Sequence, residues 1–165
     1  MQNIYLTPSL KKYYTDDFNR LLTFKDKVWG LDRGLKEILL KINQNQNVQT
    51  LYSKFNQLNK TEENNLSYIE FCYVSDVELD LFRNVIPFFI SKYNNLTDVN
   101  CYYLFQQQTL NDNFIENAPK TGIACLDDNH YFFINTIGVY LKSDNKKAHK
   151  VFWVDIENKL SDLNL

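Results

Sequence analysis

The spacing of the apolar residues changes at Leu66, and this change constrains the fold more than any other feature of the sequence. Before this point, apolar residues recur at steps of three and four, which places them on one face of an α-helix. After it they alternate with other residues, as in a strand with one buried face. Helices are therefore predicted at residues 7–22, 35–42 and 47–58, the first starting with the capping pair Thr7–Pro8 and the third capped by Asn47.

The second half of the chain predicts a sheet with one helix inserted after its first strand. The first strand covers residues 66–73, and Ser75 followed three positions later by Glu78 is a capping box that opens the inserted helix. Pro87 lies inside the apolar stripe of this helix and should bend it, because proline removes a backbone donor. Further strands are predicted at residues 101–108, 121–126, 130–141 and 151–154, and Asp155 is expected to cap a terminal helix.

The order of these elements predicts one α+β domain over residues 1–165, with a helical part at 1–60 and a sheet-containing part at 65–165. The sheet should be mostly antiparallel, with about five strands, one intervening helix and a C-terminal helix. A chain of 165 residues with 44% hydrophobic residues can bury a core without a disulfide or a metal. Cys72, Cys101 and Cys125 form an odd set without CxxC spacing, so they are expected to be reduced, buried thiols.

Composition argues against several classes of function. A formal net charge of −2 and the absence of a long basic block argue against nucleic-acid binding, which requires a basic face. No stretch has the pattern of a secretory signal or the roughly 18 apolar residues of a membrane span, so a soluble, cytoplasmic protein is expected, with no membrane partner. Four glycines leave no phosphate-binding loop, and two histidines with three scattered cysteines supply no zinc set. No cofactor or metal is expected.

The stretch LDDNH, residues 126–130, has two interpretations. Asp and Asn between two apolar runs are typical of a hairpin turn, and the glycine and alternating oxygen ligands of a calcium loop are missing. Cys125 and His130 could instead form a thiol–base pair, although an apolar strand should keep the thiol protonated. Glu70 and Glu116 leave acid–base chemistry open, with surface solvation as the expected role. His149 is expected in a solvated loop.

Acidic residues gather where strands end, and this pattern suggests an acidic rim. If the strand ends meet, the rim would lie beside exposed tyrosines, a combination suited to protein interfaces. The alternative is that acids at helix N-termini complement the helix dipole. The candidate partner-binding residues are Asp76, Glu78, Asp80, Asp127, Asp128, Tyr68 and Tyr73, with Asp155 and Glu157 at the start of the predicted last helix.

In its small size, mild acidity, AT-rich residue usage, missing export signal and missing catalytic motifs, the whole chain resembles bacterial toxin-immunity proteins. The resemblance implies a non-catalytic, cytoplasmic monomer or dimer that binds and neutralises one cognate toxin, often a nuclease, through its acidic, tyrosine-bearing surface. Two alternatives stay open from the residues alone. One is an adaptor or phage-type structural subunit, and the other is a small carboxylate- or thiol-dependent enzyme.

Overall fold

The protein is an α+β structure, as predicted, in a computed structural model that describes residues 3–8, 10–12, 14–16, 35–58, 64–109 and 133–164. Residues 8, 10–12 and 14–16 are helical, and Thr7 Oγ1 accepts a hydrogen bond from the Leu10 amide, which confirms the predicted start of the first helix. The other elements are β1 (Asn3–Ile4), α1 (Leu35–Asn43), β2 (Val48–Lys54), β3 (Leu66–Tyr73), α2 (residues 75–94), β4 (Val99–Thr109), β5 (Phe133–Ser143) and α3 (Lys146–Ser161).

Within the described residues, the sheet contains four antiparallel strands in the order β2-β3-β5-β4, with the two-residue β1 added in parallel beside the start of β5. Strand β5 is central, because β4 pairs along its whole length on one side while β3 and β1 share the other side. The expectation of about five mostly antiparallel strands is therefore close, since the described part of the chain contains four full strands. The predicted strand at residues 121–126 lies outside the described residues, as does the predicted turn at 127–129.

The core lies between one face of this sheet and the helices. Ile69, Phe71 and Tyr73 share the face of β3 that contacts it, and they alternate along the strand with the predicted period of two. The largest buried side chains on the helical side are aromatic, and Phe152 meets both Phe89 and Trp153 edge-on at 5.7 and 6.0 Å between ring centroids. Such pairs add about 0.5–1.5 kcal/mol each to the burial of their area.

The helix predicted at residues 47–58 is wrong, because Val48–Lys54 forms strand β2. The segment VQTLYSK carries apolar residues at both helical and alternating spacing, and pairing with β3 decides between them. A register irregularity between Thr50 and Tyr52 lets the strand keep its pairing on both sides of that point. Asn47 is not a helix cap, since its carbonyl accepts from the Val74 amide instead.

The strand predicted at residues 151–154 is also wrong, since these residues lie inside helix α3. Asp155 does not cap a helix. The cap is Asn145, whose side chain accepts hydrogen bonds from the amides of Lys147 and Ala148. At the other end, the buried Asn45 donates its side-chain amide to the carbonyls of Leu160, Ser161 and Leu163. A side chain from the α1–β2 turn thereby satisfies the last carbonyls of α3, which have no partners within a helix.

The inserted helix α2 is confirmed, with two changes. Its capping box does not form, because the residue before the first turn is Val74 and no side chain caps it. Residues Leu81–Val85 are π-helical, and this segment ends two residues before Pro87. A proline ring collides with the carbonyl four residues earlier in a regular helix, and the wider π turn is a local irregularity at the place where the bend is expected.

Candidate binding surface

Three tyrosines form a row across the sheet on the face opposite the core. Tyr68 of β3, Tyr140 of β5 and Tyr102 of β4 are paired in register. The rings of Tyr102 and Tyr140 are stacked at 5.1 Å and 9°, and those of Tyr68 and Tyr140 lie 5.7 Å apart. We call this surface the tyrosine face, and define it as Tyr52, Tyr68, Glu70, Tyr102, Leu104, Gly138 and Tyr140.

Tyr140 is fixed at the centre of the tyrosine face by Gly138 and Glu70. Its ring lies over Gly138, where an added Cβ would come within 2.5 Å of the tyrosine hydroxyl. The hydroxyl donates to Glu70 Oε1 at 2.6 Å, and Glu70 pairs with Gly138 across the strands. Burial and this carboxylate raise the pKa of Tyr140. The central ring is therefore held by a glycine below it, an acceptor at its tip and a ring on each side.

The rim of the tyrosine face remains accessible. Tyr52, which pairs with Glu70 across β2 and β3, is 38% exposed, and Leu104 is 44% exposed. Burial is the main cause that raises the pKa of Tyr52, and the nearby Glu70 and Tyr68 raise this pKa further. A large aromatic ring that stays partly in water offers apolar area to a partner at little cost in conformational entropy.

The opposite end of the same sheet face is occupied by Lys11 of the N-terminal helical segment. This lysine is 4% exposed, and its ammonium donates to the carbonyls of Asn43 and Val48 and to Gln49 Oε1 at 2.7–3.0 Å. Burial lowers the pKa of Lys11 to about 8. Since these hydrogen bonds use all three ammonium protons, Lys11 is a structural group.

The residues of the predicted acidic rim have different environments in the structure. Asp76 is exposed, whereas Glu78 accepts hydrogen bonds from the hydroxyls of Tyr73 and Tyr5 at 2.9 and 3.2 Å. The Asn84 amide donates to Asp80. Asp127 and Asp128 lie outside the described residues.

Two of the predicted site residues have a different environment from the one expected. Tyr73 is fully buried, so the expectation of an exposed tyrosine there is wrong, because its ring faces the core and its hydroxyl reaches Glu78. Asp155 accepts from the Tyr93 hydroxyl and from Lys92. A buried hydroxyl needs a partner, and these carboxylates supply it, which is a use of acids that sequence spacing does not reveal.

His149 is buried in α3, which makes its expected place in a solvated loop wrong. Its Nδ1 lies 2.7 Å from Ser67 Oγ, and its Nε2 lies 2.7 Å from the Ser143 carbonyl. A carbonyl can only accept, so Nε2 carries the proton and Nδ1 accepts from the serine, which in turn accepts from the Asn56 amide. This is the contact of a nucleophile with its base. However, Ser67 and His149 are both 0% exposed, so the pair acts here as a buried polar link between β3 and α3.

The other reactive groups in the described residues are also enclosed. Cys72 and Cys101 are free and buried, as predicted, and burial raises the pKa of each thiol to about 12. Cys125, His130 and Glu116 lie outside the described residues. Within the described ranges, no three His, Cys, Asp or Glu side chains are grouped so that they could hold a metal ion.

Sequence reasoning found Tyr68 but missed Tyr102, Tyr140 and the role of Glu70. The available signal was alternation: Tyr68 and Glu70 share one strand face, and Gly138 with Tyr140 has the same two-residue spacing. The register that brings these residues together is a property of the sheet.

No protein-family model, curated protein or solved structure matches this chain. Among the described helices, none is long and apolar enough to cross a membrane.

Proposed function

We propose that this chain is a non-catalytic protein-binding module whose contact surface is the tyrosine face. The observation that supports the proposal is the row of Tyr68, Tyr140 and Tyr102, fixed at its centre and flanked by the partly exposed Tyr52 and Leu104. Tyrosine is enriched among the residues that dominate binding energy at protein interfaces. A row that is already ordered loses little side-chain entropy when a partner covers it.

More specifically, we propose that this chain is an immunity protein that neutralises a cognate bacterial toxin. This step rests on the resemblance of the whole chain to such proteins. The Glu70 carboxylate adds a negative group within the aromatic surface, and the exposed Asp76 adds another elsewhere on the molecule. A basic partner such as a nuclease would be favoured by these charges, which act mainly on association rate and specificity.

The test begins with capture of a partner from the native host, followed by calorimetry with the purified partner. Tyr52→Ala and Tyr102→Ala should each raise the Kd by about tenfold or more, because truncating an interface tyrosine of this kind costs about 2 kcal/mol. Leu79→Ala is the control, since Leu79 is 60% exposed on α2 and lies outside the tyrosine face. Unchanged affinity in both tyrosine variants would refute the proposed surface.

A double variant distinguishes the tyrosine face from an acidic rim. Asp76→Lys with Asp80→Lys should leave the Kd within a few-fold of the wild-type value if the tyrosine face is the contact. A large loss of affinity in this double variant alone would transfer the contact to the acids of α2. The toxin assignment is tested separately, by co-expression of the captured partner with this chain in cells. Growth inhibition by the partner that this chain relieves is the expected result, and a harmless partner would refute the assignment.

A further inference from the structure

Glu70 lies among three tyrosine side chains near the centre of the tyrosine face. Tyr140 donates its hydroxyl to Glu70 Oε1 at 2.6 Å, and Tyr52 is directly paired with Glu70 across β2 and β3. Tyr68 precedes Glu70 by two positions in β3, so both side chains leave the strand on the same face. Burial is the main cause of the raised pKa of Tyr52, and the charge of Glu70 raises it further, which shows that the two groups are close. One carboxylate is thus bordered by three aromatic side chains.

Within the described part of the chain, only one oxygen of this carboxylate has a partner. Oε1 accepts from Tyr140, whereas Oε2 accepts no hydrogen bond from a described residue. Lys54 lies on the same face, opposite Tyr68 in the next row, and forms no ion pair with Glu70 among the described residues. Glu70 is only partly buried, so a group from outside can approach it. A carboxylate that has lost part of its water is stabilised when a cation covers it.

A carboxylate beside aromatic rings is a combination that favours a guanidinium group. The carboxylate supplies charge, and the face of a tyrosine ring attracts a cation through its quadrupole. A guanidinium is planar, so it can lie against a ring while its N–H groups point at a carboxylate. An ammonium is more strongly hydrated and has no flat surface, so it gains less from the same site.

We infer that Glu70 and Tyr52 receive an arginine side chain of the partner protein, with the guanidinium bonded to Glu70 Oε2 and lying against the Tyr52 ring. This inference rests on the proposed function and deepens it, because it names the group that the tyrosine face recognises. A protein is the source because the site belongs to an open sheet surface, where Tyr52 is 38% and Leu104 is 44% exposed. Because Lys54 lies in the next row, one arginine fits this face better than a uniformly basic surface.

The test uses synthetic peptides that present the arginine in isolation. The peptide N-acetyl-Gly-Arg-Gly-amide is titrated into the full-length protein, and binding is followed by the NMR chemical shifts of the tyrosine rings. A single side chain should bind saturably with a Kd of about 1 mM or weaker. The peptide with citrulline in place of arginine has nearly the same shape but no charge, and it should not bind. The lysine peptide should bind more weakly than the arginine peptide.

Two variants separate a binding role of Glu70 from a structural one. Glu70→Gln removes the charge but keeps an acceptor for the Tyr140 hydroxyl, and it should raise the Kd of the arginine peptide by about tenfold or more. Tyr140→Phe removes the hydrogen bond but keeps the carboxylate. It should lower the Kd, because both oxygens then become available to the guanidinium. Asp76→Asn is the matched control, since Asp76 is an exposed acid at the start of α2, outside the tyrosine face.

An arginine peptide that does not bind saturably, or that binds equally to the wild type and to Glu70→Gln, would overturn the inference. Equal affinity for the citrulline or the lysine peptide would also overturn it, and this comparison needs only the wild-type protein. A rise in Kd for Tyr140→Phe as large as that for Glu70→Gln would assign Glu70 a purely structural role.

Failure of this inference can be distinguished from failure of the proposed function by calorimetry with a captured partner. If Tyr52→Ala and Tyr102→Ala weaken the complex while Glu70→Gln does not, the tyrosine face remains the contact and only the arginine is refuted. If none of the three variants weakens the complex, the proposed surface and the arginine are both refuted.

Discussion

The substitution Gly138→Ala tests whether the centre of the tyrosine face is held as the structure indicates. In most strands this exchange is mildly stabilising, because glycine costs about 0.5–1 kcal/mol relative to alanine. Here the three atoms nearest to the new Cβ all belong to Tyr140, at 2.5–2.7 Å, and real Cβ atoms do not approach other atoms so closely. The tyrosine ring must therefore move away.

This movement weakens the two interactions that hold the Tyr140 ring in place. The hydrogen bond from Tyr140 to the Glu70 carboxylate contributes about 1.5–3 kcal/mol, with the lower part of this range applying because Glu70 is only partly buried. The stack on Tyr102 contributes about 0.5–1.5 kcal/mol. After subtraction of the gain from replacing glycine, Gly138→Ala should lower the free energy of unfolding by about 1–3 kcal/mol.

Equilibrium unfolding in denaturant measures this value, and a double-mutant cycle with Tyr140→Ala isolates its cause. In the Tyr140→Ala background the space above Gly138 is empty, so adding Gly138→Ala should be neutral or should stabilise by up to about 1 kcal/mol. If Gly138→Ala is neutral or stabilising in the wild-type background, Tyr140 is not held against Gly138 as the structure indicates. A similar loss of stability in both backgrounds would show that the steric conflict lies with another group.

Two further predictions concern the buried polar groups. Burial lowers the pKa of Lys11 from 10.5 to about 8, so the folded state releases this proton first, and stability from this group rises as pH increases from about 8 to 10.5. Between pH 8 and 10.5, the difference in unfolding free energy between the wild type and Lys11→Met should grow by at most about 3 kcal/mol in favour of the wild type. A difference that stays constant with pH would contradict the lowered pKa of Lys11. His149→Ala leaves a cavity and removes the partners of Ser67 and the Ser143 carbonyl, so it should destabilise by about 3–5 kcal/mol. The exposed neighbour variant Lys150→Ala should change stability little, and equal effects in thermal unfolding would refute a structural role for the histidine.

The hydrophobic pattern of single segments was sufficient for several elements. The alternation in residues 66–73 predicts β3 with its observed bounds, and the stripe that ends at Tyr93 predicts α2. The prediction of β3 is correct because its period is unambiguous. In residues 48–54 and 151–154 the same apolar residues fit more than one period, and there the predictions are wrong.

The candidate site could be predicted only in part, because its residues come from four separate strands. Tyr68 is identified from its own segment, but the importance of Tyr102 and Tyr140 depends on the register that places the three rings in a row. Equally, Glu78 and Asp155 look like surface acids in the sequence. They become hydrogen-bond acceptors only after Tyr73 and Tyr93 are buried beside them.

The sequence by itself determined the α+β class, the burial of Cys72 and Cys101 and the alternation of β3, because each of these follows from local periodicity and from the transfer of apolar side chains out of water. The tertiary structure decided which polar groups meet. Strand register sets the contacts of Tyr140, and the packing of α3 on the sheet brings His149 to Ser67 across 82 positions of sequence. Such contacts depend on directional hydrogen bonds between distant segments, and no local pattern of residues encodes which partner a given side chain will reach.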